Sequence, residues 1–305
     1  MSESTFTSFA VAGAGTIGSL IAEALLKYKS AGKIKEVFVL TRTESSNPVL
    51  ASLASKGATI VPVDYASITS LINTLSSLKV EVFFATFSRP GGELDPATPK
   101  VDLVAEAAKA AGVKLFIPSE FGMPTSDVKE PETKGFIVEK LKLHQSLRDL
   151  NLPFTLFFTG LWPEYCLIPA LSIDFEKGTA LVGGDGNMPI SWTSKYDVAS
   201  FVAHVLTTLP PSKLEWQTFR IEGDRLSYNQ IFEAFERKTG KHIAVSYRPV
   251  EELKAAVARD PHGEFVSSLF WMWAIGEAQV GKPDQLSNGL FPEWNPKKVI
   301  DIIAP

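Results

Sequence analysis

From residue 9 to residue 117, short apolar runs alternate with amphipathic stretches of helical period. The apolar runs are Phe9–Ala12, Val37–Leu40, Ala58–Val63, Val80–Ala85 and Lys114–Ile117. Apart from Thr59, Glu81 and Lys114 they are unbroken rather than alternating, as parallel strands covered on both faces should be. Between the first two, Ile17, Leu20, Ile21, Ala24 and Leu25 recur at helical spacing. Pro48–Lys56 reads as a short helix stopped by Gly57, Ile68–Leu75 as another, and Lys100–Ala111 as a fourth that ends on Gly112. Strand and helix in strict alternation predict an α/β fold built on a doubly wound parallel sheet.

Further on, the pattern predicts a helix over Lys134–Leu150 and a sixth strand over Leu152–Phe158. The C-terminal half is less regular. Strands are expected near Thr179–Val182, Trp216–Ile221 and Ile243–Tyr247, with helices over Ser194–Thr207 and Tyr228–Thr239. A last helix is expected over Glu264–Gly281, with Phe265, Leu269, Phe270 and Trp273 on one face.

The first strand runs directly into Gly13-Ala14-Gly15-Thr16-Ile17-Gly18, and the amphipathic helix follows. Glycines at this spacing, with a strand before and a helix after, point to a dinucleotide-binding unit rather than an empty turn. Gly13 permits the tight turn, Gly15 lets a pyrophosphate approach the backbone, and Gly18 lets the helix lie close on its strand. Thr16 and Ile17 open the helix, where unpaired N–H groups and the positive dipole end favour phosphate. The end of the second strand, which meets the adenine ribose, carries Arg42 where an NAD site usually has an acid. A guanidinium fork suits a 2′-phosphate, with Thr43 and Ser45 as further donors, so NADPH/NADP+ is expected over NADH. Two features stand against this: a strand-end arginine can simply be solvated, and Glu44 can turn inward. Asp64 ends the third strand, either to accept from the adenine amine or to cap the next helix. Thr86, Phe87 and Ser88 end the fourth strand and are expected along the ribose and nicotinamide, while Arg89 reaches a phosphate or stays in solvent ahead of the loop Pro90–Gly92. The fold expected is a Rossmann domain over residues 1–158, with a smaller α/β substrate lobe over residues 159–305 interleaved with its sheet.

Composition narrows the function. In 305 residues, 45% are hydrophobic and 21% charged, an ordinary globular balance. A net charge of −4 gives no electrostatic footprint for nucleic acid or an anionic membrane. The single cysteine, Cys166, excludes an internal disulfide and fits a reducing compartment. Met1–Ser8 lacks the basic-then-apolar pattern of a signal peptide, and the most apolar window, Phe154–Ile173, is broken by Pro163 and Glu164. A soluble cytoplasmic protein is expected, monomer or homodimer, whose partner is a small molecule. The four histidines, His144, His204, His242 and His262, are scattered; with no H-E-x-x-H and no cysteine pair, no metal site is expected. There is no G-x-S-x-G nucleophile elbow.

The glycine turn, Arg42, the run Phe116-Ile117-Pro118-Ser119-Glu120-Phe121-Gly122 and a lysine-bearing helix after it resemble the NmrA-like, isoflavone-reductase-like group. These are atypical short-chain dehydrogenases, and the likeness continues through Gly184–Asn187, Tyr196–Ala199 and Phe291–Trp294, in wording most like fungal members. The resemblance places the working lysine of the reductases on Lys140, in contact with the nicotinamide ribose and acting on the substrate's proton. The chemistry is sound by itself, because hydride arriving at a carbon needs a proton donor for the developing oxyanion; a surface lysine is the bland alternative. His144 shares a helical face with Lys140 and reads as packed, and Lys142 faces elsewhere. Position 136 is phenylalanine, so the tyrosine-x-x-x-lysine pair of ordinary short-chain dehydrogenases is absent. Thr159-Gly160 stands where the plant reductases carry serine-asparagine, which puts their particular substrates in doubt. Phe121, Met123, Thr159, Trp162 and Tyr165 are expected to wall an aromatic substrate site, against plain core packing. The resemblance implies an NADPH-dependent reductase of secondary metabolism. A dinucleotide-sensing regulator without turnover, as NmrA itself is taken to be, and a non-redox cyclase remain open.

Overall fold

The computed structural model describes residues 4–87, 101–130, 135–260 and 263–305. Ser88, Arg89, Pro90–Gly92 and His262, and the predicted helix starts Lys100 and Lys134, lie outside the described residues. The chain divides into two compact units: residues 1–119, 142–156 and 199–218 form the first, and residues 120–141, 157–198 and 219–305 the second.

In the first unit, β1 (Ser8–Ala12), α1 (Thr16–Ser30), β2 (Glu36–Arg42), α2 (Val49–Ser55), β3 (Thr59–Val63), α3 (Ile68–Ser77), β4 (Val82–Ala85), α4 (Val101–Ala110) and β5 (Leu115–Pro118) alternate as expected. The strands form one sheet of order β3-β2-β1-β4-β5, with every neighbouring pair parallel. The continuity of the apolar runs has its cause here. Phe9, Val11, Val37, Val39, Phe83, Phe84, Phe116 and Ile117 are all 0% exposed, so both faces of the central strands are covered. Full burial of each large side chain contributes roughly 1.5–3 kcal/mol. Helix α1 buries Ile17, Ile21, Ala24 and Leu25, as its spacing predicts, and also Leu26, while Leu20 is half-buried. Helix α4 buries Val104 with Ala105, Ala107 and Ala108, small residues that let it lie close.

The predicted sixth strand over Leu152–Phe158 changes partner partway. Phe116 N donates to Pro153 O (2.8 Å) and Thr155 N to Phe116 O (3.1 Å), so this stretch flanks β5. From Leu156 onward it becomes β6 (Leu156–Phe158), paired instead with a later strand. Between β5 and β6 runs α5 (Gly135–Asp149).

The second unit gathers α6 (Pro163–Cys166), β7 (Ile173–Asp174), β8 (Thr179–Gly183) and β9 (Ile190–Trp192). Helix α7 (Lys195–Thr208) starts here and continues in the first unit, to which residues 199–218 belong; then follow β10 (Thr218–Arg220), β11 (Asp224–Leu226), α8 (Tyr228–Thr239), β12 (Ala244–Arg248), α9 (Val250–Arg259), α10 (Phe265–Ala274) and α11 (Val299–Ile303). Strand β10 is the partner of β6, β11 pairs antiparallel with β9, and β8 joins β12 in parallel and β7 antiparallel. Helix α8 is fixed by a reciprocal cap between Ser227 and Gln230. Around Trp192, Tyr228, Ile231, Phe232, Met272 and Trp273 the unit has its own apolar core.

The helix expected over Glu264–Gly281 stops at Ala274. Gly276 takes a left-handed backbone (φ 90°), which ends the helical run, and Val280 N then bonds to Ser191 Oγ at 3.1 Å. Helix α9 and strands β7, β9 and β11 were not expected, the strands because two or three residues are too few to show a period.

Candidate active site

The glycine turn is held by a threonine at the end of β4. Thr86 N donates to Ala12 O at 2.9 Å, and Thr86 Oγ1 lies 2.9 Å from Ala12 O and 2.8 Å from Gly13 O. Gly13 has φ 97°, and a side chain there would also press on Thr86 O at 2.8 Å. At Gly18 a Cβ would collide with Gly13 O and Thr86 Oγ1. Gly15 differs: it is the N-cap of α1, and a Cβ there would meet nothing within 4 Å. No side chain caps α1, and its first turn has no acid, so the N–H groups at Thr16, Ile17 and Gly18 keep an uncompensated positive end. This open, uncapped cradle fits a phosphate group.

Arg42 and Thr43 stand exposed at the end of β2, with Glu44 exposed beside them. The loop after them is tied to the glycine turn by Asn47, a residue that the apolar pattern did not single out. Its Nδ2 donates to Ala14 O at 2.8 Å, and its Oδ1 accepts from Val49 N at 3.1 Å. An asparagine directly before a proline and a helix was the available signal. Asp64 is exposed and accepts from Ala66 N at 3.0 Å, whereas the cap of α3 is Ser67, whose Oγ accepts from Ser70 N at 3.2 Å. Capping therefore falls to Ser67, three residues nearer the helix than the position considered for it. Phe87 is half-buried and meets Tyr65 edge to face, and Thr86 is 4% exposed.

In the second unit, Lys140 on α5 donates from Nζ to Glu120 Oε2 at 3.1 Å. Glu120 is 1% exposed, and the same oxygen accepts from Thr125 Oγ1 at 2.9 Å. The apolar pattern singles out neither Glu120 nor Thr125. The signal was present in Glu120, an acid inside the apolar run Phe116–Gly122. The loop carrying it is tied to the end of β6: Thr159 N and Gly160 N donate to Gly122 O at 2.9 and 3.1 Å.

The expected substrate wall separates by burial. Phe121 (6% exposed) stacks on Phe157, and Met123 lies in the apolar core. Thr159 is wholly buried, and its Oγ1 accepts from Trp162 Nε1 at 3.3 Å. Trp162 is half-buried and edge-on to Tyr165, which is 56% exposed. Thr159, Trp162 and Tyr165 thus come together in sequence and in contact.

His144 is 2% exposed and stacks on Phe154 in the first unit. Burial pushes the Cys166 thiol up to about 12, so it is no nucleophile. Among the described residues no three His, Cys, Asp or Glu side chains come together to hold a metal ion, and no helix is long and apolar enough to cross a membrane.

A five-stranded parallel sheet with a glycine turn and an uncapped helix behind it defines a Rossmann-type fold. The chain belongs to the NmrA-like family, which matches residues 7–286. It is 27% identical to oxidoreductase BOA1 of Botryotinia fuckeliana over 93% of this chain and 94% of that protein. It is 23% identical to phenylcoumaran benzylic ether reductase TP7 of Nicotiana tabacum, over 93% of this chain and 89% of the relative. The fold matches that of AtPrR2 with NADP+ and (+)pinoresinol at a TM-score of 0.80, covering 98% of both chains at 20% identity.

Proposed function

We propose that this chain is an NADPH-dependent reductase of an aromatic or conjugated small molecule, in secondary metabolism. The observation that carries this is the cradle at Gly13, Gly15 and Gly18, locked by Thr86 and left uncapped. The names of the related reductase and oxidoreductase, and the NADP+ held by the structural neighbour, support the same assignment. When bound, NADPH supplies the hydride.

The chain's own residues do the rest. The first unit binds the cofactor: the glycine turn with Thr16 and Ile17 takes the pyrophosphate, and Arg42 with Thr43 the 2′-phosphate. Asp64 lies toward the adenine, and Thr86 and Phe87 toward the ribose and nicotinamide. The second unit receives the substrate along Phe121, Met123, Thr159, Trp162 and Tyr165. Lys140 hands a proton to the heteroatom anion that forms as hydride arrives, on oxygen for a carbonyl, enone or quinone methide and on nitrogen for an imine. The protein works in the cytoplasm, as monomer or homodimer.

The test is steady-state NADPH oxidation over a panel of phenolic and enone substrates, with Lys140→Ala alongside. Turnover by the wild type that falls at least about a hundredfold in Lys140→Ala is expected for loss of a general acid. Tight NADPH binding with no turnover anywhere in the panel would replace the reductase by a cofactor sensor. Product formed equally with NADP+ would replace it by a non-redox cyclase.

A further inference from the structure

Glu120 carries an acidic side chain into a place where water hardly reaches: it is 1% exposed. A buried carboxylate persists only where a cation and hydrogen-bond donors meet it. Here Lys140 Nζ and Thr125 Oγ1 converge on the one oxygen, Oε2, at 3.1 and 2.9 Å.

The two ends of this pair differ in rigidity. Glu120 lies between β5, whose Ile117 is wholly buried, and Gly122, whose carbonyl is gripped by Thr159 N and Gly160 N. Thr125 is 2% exposed and sits in a short 3-10 turn, Thr125–Asp127. That turn is pinned by the ion pair of Asp127 Oδ2 with Arg220 NH1 at 2.7 Å. Lys140, by contrast, has a long flexible stem and a side chain 35% exposed. An amine that delivers a proton must lie within hydrogen-bond reach of one particular atom, and a lysine alone does not stay there.

We propose that Glu120 is a positioning residue for Lys140. Thr125 fixes the carboxylate and the carboxylate aims the amine, so the three act as one unit. This rests on Lys140 being the proton donor, but the geometric coupling can be read without turnover. In this scheme Glu120 acts through Lys140.

The experiment has two arms. In the first, the full chain and its Glu120→Gln, Glu120→Asp and Thr125→Val variants are acetylated with a trace of acetic anhydride at fixed pH. The rate at Lys140 is followed by peptide mass spectrometry, with the 79% exposed Lys177 as internal reference. With its carboxylate partner gone, Lys140 should label about tenfold faster in Glu120→Gln. Thr125→Val should fall between, and Glu120→Asp close to wild type. Equal rates in all four chains would overturn the coupling; should Glu120→Gln fail to fold, Thr125→Val decides it.

The second arm uses whichever panel substrate is turned over. Glu120→Gln should lower kcat about tenfold or more while KM for NADPH stays within about twofold. Glu120→Gln with Lys140→Ala should be no slower than Lys140→Ala alone, because residues that act as a unit are non-additive. Multiplying losses in the double variant would overturn the proposal. Faster labelling of Lys140 in a protein that reduces nothing would keep the coupling and remove the reductase.

Discussion

The amide of Asn47 donates to the carbonyl of Ala14 at 2.8 Å, across thirty-three positions of sequence. It joins the loop that follows Arg42 to the glycine turn, so the two parts of the proposed cofactor site share a single strut. A neutral hydrogen bond of this kind contributes about 1 kcal/mol net. Asn47→Ala should therefore weaken NADPH binding about fivefold to tenfold with only a small change in Tm. Isothermal titration decides it. Affinity equal to wild type would mean that the loop and the turn hold their places independently.

Gly15 and Gly18 are three residues apart and should respond to alanine in opposite ways. At Gly18 the new methyl would strike Gly13 O and Thr86 Oγ1, so backbone must move. Overpacking of that kind costs about 1–3 kcal/mol. Gly18→Ala should lower Tm by several degrees and lose cofactor affinity with it. At Gly15 the methyl meets nothing within 4 Å, so Gly15→Ala should keep the fold to within about 1 kcal/mol, the cost of a poorer N-cap. On the proposed binding mode its methyl would stand where the pyrophosphate approaches, and NADPH affinity should fall at least about tenfold. Thermal melts with and without NADPH separate the two. A Gly15→Ala protein that NADPH stabilises as it does the wild type would place the pyrophosphate elsewhere.

What could be read from sequence follows a physical divide. The sheet was legible because β1, β2, β4 and β5 are buried on both faces, which forces unbroken apolar runs such as Phe9–Ala12. The turn was legible because Gly13 and Gly18 are needed for backbone reasons that no other residue satisfies. Pairings between distant side chains leave no such trace. Lys140 stood out on its helix, but its ion pair with Glu120 spans twenty positions and has no period. Asn47 was hidden in the same way, its role resting on a contact with Ala14. The end of α10 was misjudged because Trp271, Met272 and Trp273 continue the apolar pattern up to Gly276, which alone breaks it. Helix α9 carries its own signal, with Glu251 and Glu252 in its first turn and Leu253, Ala256 and Val257 forming an apolar face.

On the proposed function, Arg42 is the residue expected to discriminate between the two nicotinamide cofactors. It stands exposed at the end of β2, where the 2′ position of the ribose is read in this fold. Hydrogen bonds to a charged group contribute about 1.5–3 kcal/mol, so Arg42→Ala should weaken NADPH roughly tenfold to a hundredfold. NADH has no 2′-phosphate and should be affected less than about threefold. The ratio of the two dissociation constants is the measurement, and it should fall steeply with added salt in the wild type but not in the variant. Equal losses for both cofactors would assign Arg42 a structural part and reopen the case for Glu44.

Glu81 lies at the other end of the strands from the glycine turn, and it offers a stability effect separable from binding. Its Oε2 accepts from Thr7 N at 2.8 Å and Ser8 N at 3.2 Å, and its Oε1 from Lys114 Nζ at 2.7 Å. One carboxylate thereby stitches together the starts of β1, β4 and β5. Burial alone would push its pKa up, but the Lys114 and Thr7 hydrogen bonds and the Lys114 charge outweigh burial and hold it below the ordinary value of 4.5. A carboxyl with a depressed folded pKa stabilises the native state above its unfolded pKa, and that contribution disappears as pH falls through the folded value. Glu81→Gln should thus melt lower than wild type at neutral pH, by a gap that is constant above about pH 5 and closes on further acidification. Added salt should narrow the gap, since Lys114 is 60% exposed. NADPH affinity at pH 7 should be unchanged. Melting curves of the two proteins from pH 7 down to about pH 3 test this; a gap that persists or widens in acid would show that Glu81 acts through packing rather than charge.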